Sequence, residues 1–392
     1  MTRVRRGAVV AFTLAALGAC GPADDEGATS IAQPIIRGAD SDASQNAVVL
    51  LDHYEGGSRV GASACSGILI SPKVVLTARH CVSETEPGGI ACSSSGKPIS
   101  GGGVKGDYKP SAIYVFVGTK RPDILAGEGP VARGASFVHD GATNLCDHDL
   151  ALIVLDRAVT KPMIAPLRLE GGPQKGDAVT LVGWGLDENS AEPPVRKQRT
   201  VTVTGVGGGS GFGPGELQVG EGSCQGDSGG PALADKTRAV LGVLSRGGAP
   251  GGGCVGQDAD NVYTLLGPYK DLIDKTVRDQ GGEPWIEGQP SPLLAKDGEA
   301  CAADGDCRSN ACNLQTKTCA QDCAAAACSG GLVCKDLQGK RLCATPEDEG
   351  GGCRAGARDA DRSGLVVVVA ALLAAASRRR TRRLAENRRP GV

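Results

Sequence analysis

Apolar residues come in short runs along most of this chain. Ala47 to Leu51, Ile113 to Val117 and Val179 to Val182 are each bounded by turn-forming residues. Runs this short and rich in β-branched residues predict strands. One stretch keeps a different period: between Tyr269 and Gln280, Leu272, Ile273, Thr276 and Val277 share one face of a 3.6-residue repeat, which predicts a helix. Two further apolar runs lie near the ends, Ala8 to Leu17 and Leu365 to Ala376, and both are too short to span a bilayer comfortably. The pattern between them, with 60 Gly in 392 residues, predicts an all-β body of many short strands.

The N-terminal run follows Arg3, Arg5 and Arg6 and precedes Leu17-Gly18-Ala19-Cys20. A basic region ahead of an apolar core is an export signal, assigned to residues 1–19. Leu17 does not fit the small-x-small cleavage rule, but the four residues resemble a bacterial lipoprotein box with Cys20 as the lipid-bearing residue; an incidental cysteine in a cleaved leader is the alternative. Residues 20–34 are then this cysteine and a short propeptide.

Past residue 281 the composition changes. Pro284, Pro290 and Pro292 mark 282–300 as a linker. Cys301, Cys307, Cys312, Cys319, Cys323, Cys328, Cys334 and Cys343 follow in a segment too small for its own core, so 301–346 reads as a disulfide-stapled mini-domain. Residues 347–364 form a spacer carrying Cys353, 365–377 a short membrane segment, and 378–392 an Arg-rich tail that the positive-inside rule puts on the cytoplasmic side. This order resembles the tripartite sorting signal MYXO-CTERM of myxobacteria, with Cys353 as its cysteine.

The formal net charge of −2 includes the leader arginines and seven Arg against one Glu in 378–392. Without those ends the chain is strongly acidic, which excludes nucleic acid as a partner. The 16 cysteines of an exported chain point to disulfides. No CxxC pair or suitably spaced His in the body supports zinc, and no metal or other cofactor is called for.

Candidate chemistry lies in three motifs: Leu76-Thr77-Ala78-Arg79-His80-Cys81, Asp149-Leu150-Ala151-Leu152 and Gly226-Asp227-Ser228-Gly229-Gly230-Pro231. They supply an imidazole base, an orienting carboxylate and a hydroxyl nucleophile, the set that acyl transfer needs. Together with Ile35-Ile36-Arg37-Gly38, Cys65-Ser66-Gly67-Ile68-Leu69-Ile70, Gly183-Trp184-Gly185, Val243-Leu244-Ser245 and Asn261-Val262-Tyr263-Thr264, they make residues 35–281 resemble a trypsin-like serine protease of the chymotrypsin fold. The resemblance implies two six-stranded antiparallel β-barrels, a C-terminal helix and, after them, the small disulfide-rich segment.

It also implies roles. His80 would be the general base and acid, Asp149 its orienter, Ser228 the nucleophile, the N–H groups of Gly226 and Ser228 the oxyanion hole, and Ser245 the support of Asp149. Ile35, freed by cleavage of a zymogen, would insert its ammonium beside Asp227. Cys65 would pair with Cys81, Cys224 with Cys254, and the two cysteines left over, Cys92 and Cys146, with each other. Asp147 and His148 are set aside because the family acid directly precedes the Leu-Ala-Leu run. Gly222 and Ser223 fall at the floor of the substrate pocket and Gly247 and Asn261 on its wall, so no carboxylate is in place for Arg or Lys. Arg246 replaces the usual Trp of the substrate strand and predicts more cationic neighbouring subsites, and Arg79 replaces a small residue.

The expected function is a serine endopeptidase acting on proteins or peptides after uncharged residues, exported to the cell envelope or surface, in the outer membrane or released, and held by its terminal signals. The other class is a catalytically silent or zymogen-locked module serving adhesion. Oligomeric state has no signature in the sequence.

Overall fold

Six strands close the first barrel: β1 (Val48–His53), β2 (Ser63–Ser71), β3 (Val74–Thr77), β4 (Ile113–Phe116), β5 (Ala132–Val138) and β6 (Ala151–Leu155). Six more close the second: β7 (Ala178–Gly183), β8 (Lys197–Val206), β9 (Glu216–Gly220), β10 (Pro231–Ala234), β11 (Val240–Gly248) and β12 (Asp260–Leu265). Every pairing is antiparallel, and the scheme repeats. In each barrel the first strand pairs with the second and fourth, the third with the second and sixth, and the fifth with the fourth and sixth. This computed structural model describes residues 35–55, 63–124, 126–324, 327–337 and 339–346. The export signal, Cys20, Cys353 and the C-terminal apolar and Arg-rich segments lie outside them. Among the described residues no helix is long and apolar enough to cross a membrane.

Runs such as Ala47 to Leu51 are unbroken because both of their faces are covered. Val48, Leu50, Ile68, Leu76 and Leu152 join Trp184, Val243 and the helix residues Ile273 and Val277 in one cluster shared by the barrels. Their neighbours Val49, Leu51, Leu69, Val75 and Ile153 belong to a second cluster within the first barrel. Val179, Leu181, Leu217, Ala232 and Tyr263 form the cluster of the second barrel. The helix α1 runs Lys270–Asp279, one residue shorter at each end than its pattern predicts. Tyr269 belongs to the preceding 3₁₀ turn, and Gln280 caps the helix before Gly281 takes φ 76°.

Arg196 ties these parts together. It is fully buried and donates to Ser41 Oγ (2.9 Å), Val48 O (2.8 Å), Gly118 O (2.9 Å) and Asp42 O (2.7 Å). Burial pulls its pKa down to about 10.

Between β3 and β4 the chain makes two extra ribbons, Ser83–Thr85 with Val104–Asp107 and Ala91–Cys92 with Pro98–Ser100. Cys92 is bonded to Cys146, and Leu145 N–H donates to Gly102 O (2.9 Å), so this flap is fixed to the loop before β6. Cys65–Cys81 and Cys224–Cys254 are the other disulfides of the barrels.

The segment 282–300 lies on the body rather than hanging from it. Trp285 packs on the first-barrel cluster, Trp285 O accepts from Leu167 N–H (2.7 Å), and Glu287 holds Arg168 in a fork of 2.5 and 2.7 Å. One aromatic side chain and one carboxylate outweigh the proline content that marks a linker.

The chain divides into two compact units after Asp322. The first contains the barrels with Cys301–Cys312 and Cys307–Cys319. The second holds Cys323–Cys334, Cys328–Cys343 and a hairpin of Val333–Leu337 with Lys340–Ala344.

Candidate active site

His80 sits on a 3₁₀ turn, Arg79–Cys81, at the end of β3, and Asp149 stands two residues before β6. Because β3 pairs with β6 with Thr77 opposite Ala151, their ends bring the two side chains together. His80 Nδ1 lies 2.8 Å from Asp149 Oδ2, and the His80 backbone N–H donates to Asp149 Oδ1 at 3.0 Å. Asp149 is fully buried. Burial works against its charge, but the His80 charge, two hydrogen bonds from His80 and one from Ser245 hold its carboxyl below the usual range. Burial likewise opposes an imidazolium at His80, and the Asp149 charge and hydrogen bond outweigh it, leaving His80 raised. This pair orients the ring and fixes Nδ1 as the N–H, which leaves Nε2 as the acceptor.

Ser228 arrives from the loop between β9 and β10. Ser66 positions that loop: its N–H donates to Ser228 O (2.8 Å), and its hydroxyl donates to Gly226 O (3.0 Å) and accepts from Trp184 N–H (2.9 Å). Cys81 Sγ lies 3.5 Å from Ser228 O, so the serine adjoins the residue following His80. Gly229, at φ 75°, passes so close to Thr77 that a Cβ would stand 2.1 Å from Thr77 Oγ1. Within the loop, Asp227 N–H donates to Cys224 O (3.0 Å) and Gly230 N–H to Asp227 O (2.8 Å). Among the described residues, the N–H groups of Gly226 and Ser228 have no backbone acceptor.

Asp227 is buried against the Gly183-Trp184-Gly185 stretch. Its carboxylate accepts from Gly185 N–H (2.7 Å) and Cys224 N–H (2.9 Å), and a Cβ on Gly183 would lie 2.1 Å from Oδ1. Burial nevertheless pushes Asp227 up to about 7, against those bonds and the charge of Arg121. Ile35 is buried in the second-barrel cluster, with φ 42°, a conformation that costs a β-branched residue of order 1–3 kcal/mol.

A cleft of about 230 Å³ opens at Ser228, lined by Ile90 and Gly89 of the flap and by Arg246, Gly247, Ser223 and Asn261. Gly222 offers no side chain to it. The Asn261 amide spans the floor, with Oδ1 accepting from Ser223 N–H (2.8 Å) and Nδ2 facing Ser223 O (3.4 Å). Ser223 Oγ bonds Tyr263 OH (2.8 Å), and a Cβ on Gly247 would lie 2.2 Å from Asn261 Nδ2. A larger cavity of about 490 Å³ near Pro72 and Gly282 has its charged groups paired, Glu283 with Lys296 (3.0 Å) and Arg308 (2.8 Å), and lies apart from this chemistry.

The family model described as Trypsin matches residues 35–273. The chain belongs to the trypsin family. It is 27% identical over 245 residues to phenoloxidase-activating factor 1 of Holotrichia diomphalia, covering 57% of this chain and 65% of that protein. It is 28% identical over 227 residues to human kallikrein-4, covering 55% of this chain and 78% of the relative, and 26% identical over 244 residues to human putative trypsin-6, covering 57% and 84%.

Within this trypsin-family site, Asp147 and His148 stand apart from His80. Asp147, at φ 63°, accepts from Gly215 N–H (3.0 Å), and His148 Nδ1 is bonded to Asp140 (2.6 Å). Arg246 does not make the neighbouring subsites more cationic, contrary to the sequence expectation. Its two Nη atoms are held by Glu216 at 2.6 and 2.7 Å, and Glu216 is fully buried. Glu216 lies 30 positions upstream on β9, without a motif to reveal it. Ser66 and Thr77 were visible only as letters of family motifs; the Ser66 bonds to the serine loop and the close approach of Gly229 to Thr77 depend on how the barrels meet.

Proposed function

We propose that this chain is an exported serine endopeptidase made as a zymogen. The observation that carries the reading is the His80–Asp149 pair, which leaves Nε2 as the acceptor, on the turn whose Cys81 Sγ lies 3.5 Å from Ser228 O. His80 Nε2 takes the Ser228 proton as the hydroxyl attacks the substrate carbonyl, Asp149 stabilises the imidazolium, and the N–H groups of Gly226 and Ser228 meet the developing oxyanion. His80 then protonates the leaving amine, and water releases the acyl group by the same steps in reverse.

The pocket supports cleavage after small, uncharged residues. A neutral amide closes its floor, and Gly222 supplies no carboxylate. A basic side chain would meet no carboxylate, and burying an unpaired ammonium is costly. A peptide library digested with the mature enzyme and read by mass spectrometry should show cuts dominated by small neutral residues. Dominant cuts after Lys or Arg would overturn this assignment.

Activation by a cut before Ile35 is supported by the strain at that residue and by the buried Asp227, which forms no ion pair among the described residues. A first residue has no φ to constrain, and its ammonium is the charge Asp227 lacks. Pro34 before the bond argues against self-cleavage by a trypsin-like specificity. Envelope anchoring rests on Cys20 and Cys353 with the apolar and Arg-rich tail. One lipid chain gives marginal binding, so the two ends are separable. Deleting 365–392 should release the protease into the medium; retention that also requires Cys20 would assign the anchor to the N-terminus.

A further inference from the structure

Arg79 is a charged side chain, 7% exposed, immediately before His80. Its Nη2 bonds Asp107 Oδ1 at 2.7 Å, while Nε and Nη1 are buried with no partner among the described residues. A guanidinium is expensive to bury half-satisfied, and this one sits where the family pattern has a small residue. Three carboxylates act on it: Asp107 from the flap ribbon, Asp140 from the segment after β5, and Asp149 itself.

Each of these has its own partners. Asp107 also accepts from Ser83 Oγ (2.8 Å) and from His139 Nε2 (3.1 Å). His139 Nδ1 accepts from Gly141 N–H (3.0 Å), so Nε2 carries its proton. Asp140 bonds His148 (2.6 Å) and the Tyr269 hydroxyl (3.3 Å). Asp107 is 36% exposed, and among the described residues it alone forms an ion pair with Arg79. The guanidinium is therefore anchored on the flap at one end and shares the 3₁₀ turn of His80.

We infer that Arg79 is a positioning residue for that pair: a buried cation, oriented by Asp107, that biases the His80–Asp149 pair towards the neutral imidazole. The inference rests on reading His80, Asp149 and Ser228 as the reacting groups. Asp149 favours the imidazolium that completes the proton transfer, but the same attraction keeps His80 protonated, and inactive as a base, at mildly acid pH. A nearby fixed cation opposes the imidazolium and so extends the base form to lower pH. Asp107 sets how much of that cation is felt. Removing Arg79 and removing Asp107 must then shift the titration of His80 in opposite directions, which loss of packing would not do.

The test compares Arg79→Gln, Arg79→Lys and Asp107→Asn in the mature protein. The readouts are the acid limb of kcat/KM against pH and the His80 ring titration by proton NMR. Arg79→Gln should move both to higher pH by about one unit, Asp107→Asn should move them lower, and Arg79→Lys should stay near the parent. An unmoved limb in Arg79→Gln and Asp107→Asn, whatever happens to kcat, would reduce Arg79 to a packing residue. The NMR titration reads the inference even if peptide turnover fails, and failed turnover in the parent would contradict the protease reading instead. If Arg79→Gln does not fold, the direction of the Asp107→Asn shift still decides.

Discussion

Asp149→Asn is expected to lower kcat by about 10⁴-fold while leaving the barrels folded. The carboxylate accepts both the His80 backbone N–H and Nδ1–H, at 3.0 and 2.8 Å. An asparagine of the same shape can keep the first bond through its oxygen, but it presents an NH₂ to the ring. The imidazole then places its proton on Nε2 and can no longer receive one from Ser228. The effect is on the tautomer, so KM should change little, and activity should recover in part at high pH, where hydroxide can replace the base. Steady-state kinetics from pH 6 to 10 check this. A variant retaining a tenth or more of the parent kcat near neutral pH would remove Asp149 from its role.

The second large effect concerns Asp227. In the intact chain its carboxyl is pushed up to about 7, against an ordinary value near 3.8. Between those values the folded state holds its proton more tightly than the unfolded chain does, so stability falls as pH rises through that window and levels off above it. The loss is up to about 4 kcal/mol. Once Ile35 is free, its ammonium favours the carboxylate, and the decline should disappear. Denaturant melts at pH 5 and pH 8 should therefore show a pH-dependent loss in the intact chain that is absent from the enzyme cut before Ile35. Asp227→Asn should flatten the intact chain as well. The same pH dependence in all three would contradict an ion pair at Asp227.

The strands and the helix were legible because their cause is local. Runs such as Ala47 to Leu51 are apolar at every position since both faces are covered, and the helix face of Ile273, Thr276 and Val277 repeats as a helix must. Its ends were misjudged by one residue because the 3₁₀ turn at Gly267–Tyr269 and the cap at Gln280 continue the pattern without continuing the helix. The candidate reacting groups were legible for a different reason: each sits in a short motif, and in the Ser228 motif Gly229 is fixed by its close approach to Thr77.

What sequence could not supply are pairings between distant elements. Arg246 looks like a free cation until Glu216 is found on β9 of the same barrel. Arg79 has its counter-charge 28 positions away on the flap ribbon, and Ser66 reaches Gly226 only because the two barrels abut. The prolines of 282–300 signal a break in regular structure, but only Trp285 and Glu287 say that the segment is docked.

The central claim is that His80 activates Ser228 once the bond before Ile35 is cut. A fluorophosphonate probe reads it most directly, because such a probe phosphonylates a serine whose proton a neighbouring base removes. Labelling located by peptide mass spectrometry should fall on Ser228 in protein beginning at Ile35. It should be lost in Ser228→Ala, nearly lost in His80→Ala, and weak in the uncut chain. Absence of labelling in protein shown by terminal sequencing to begin at Ile35, or equal labelling in His80→Ala, would contradict the account.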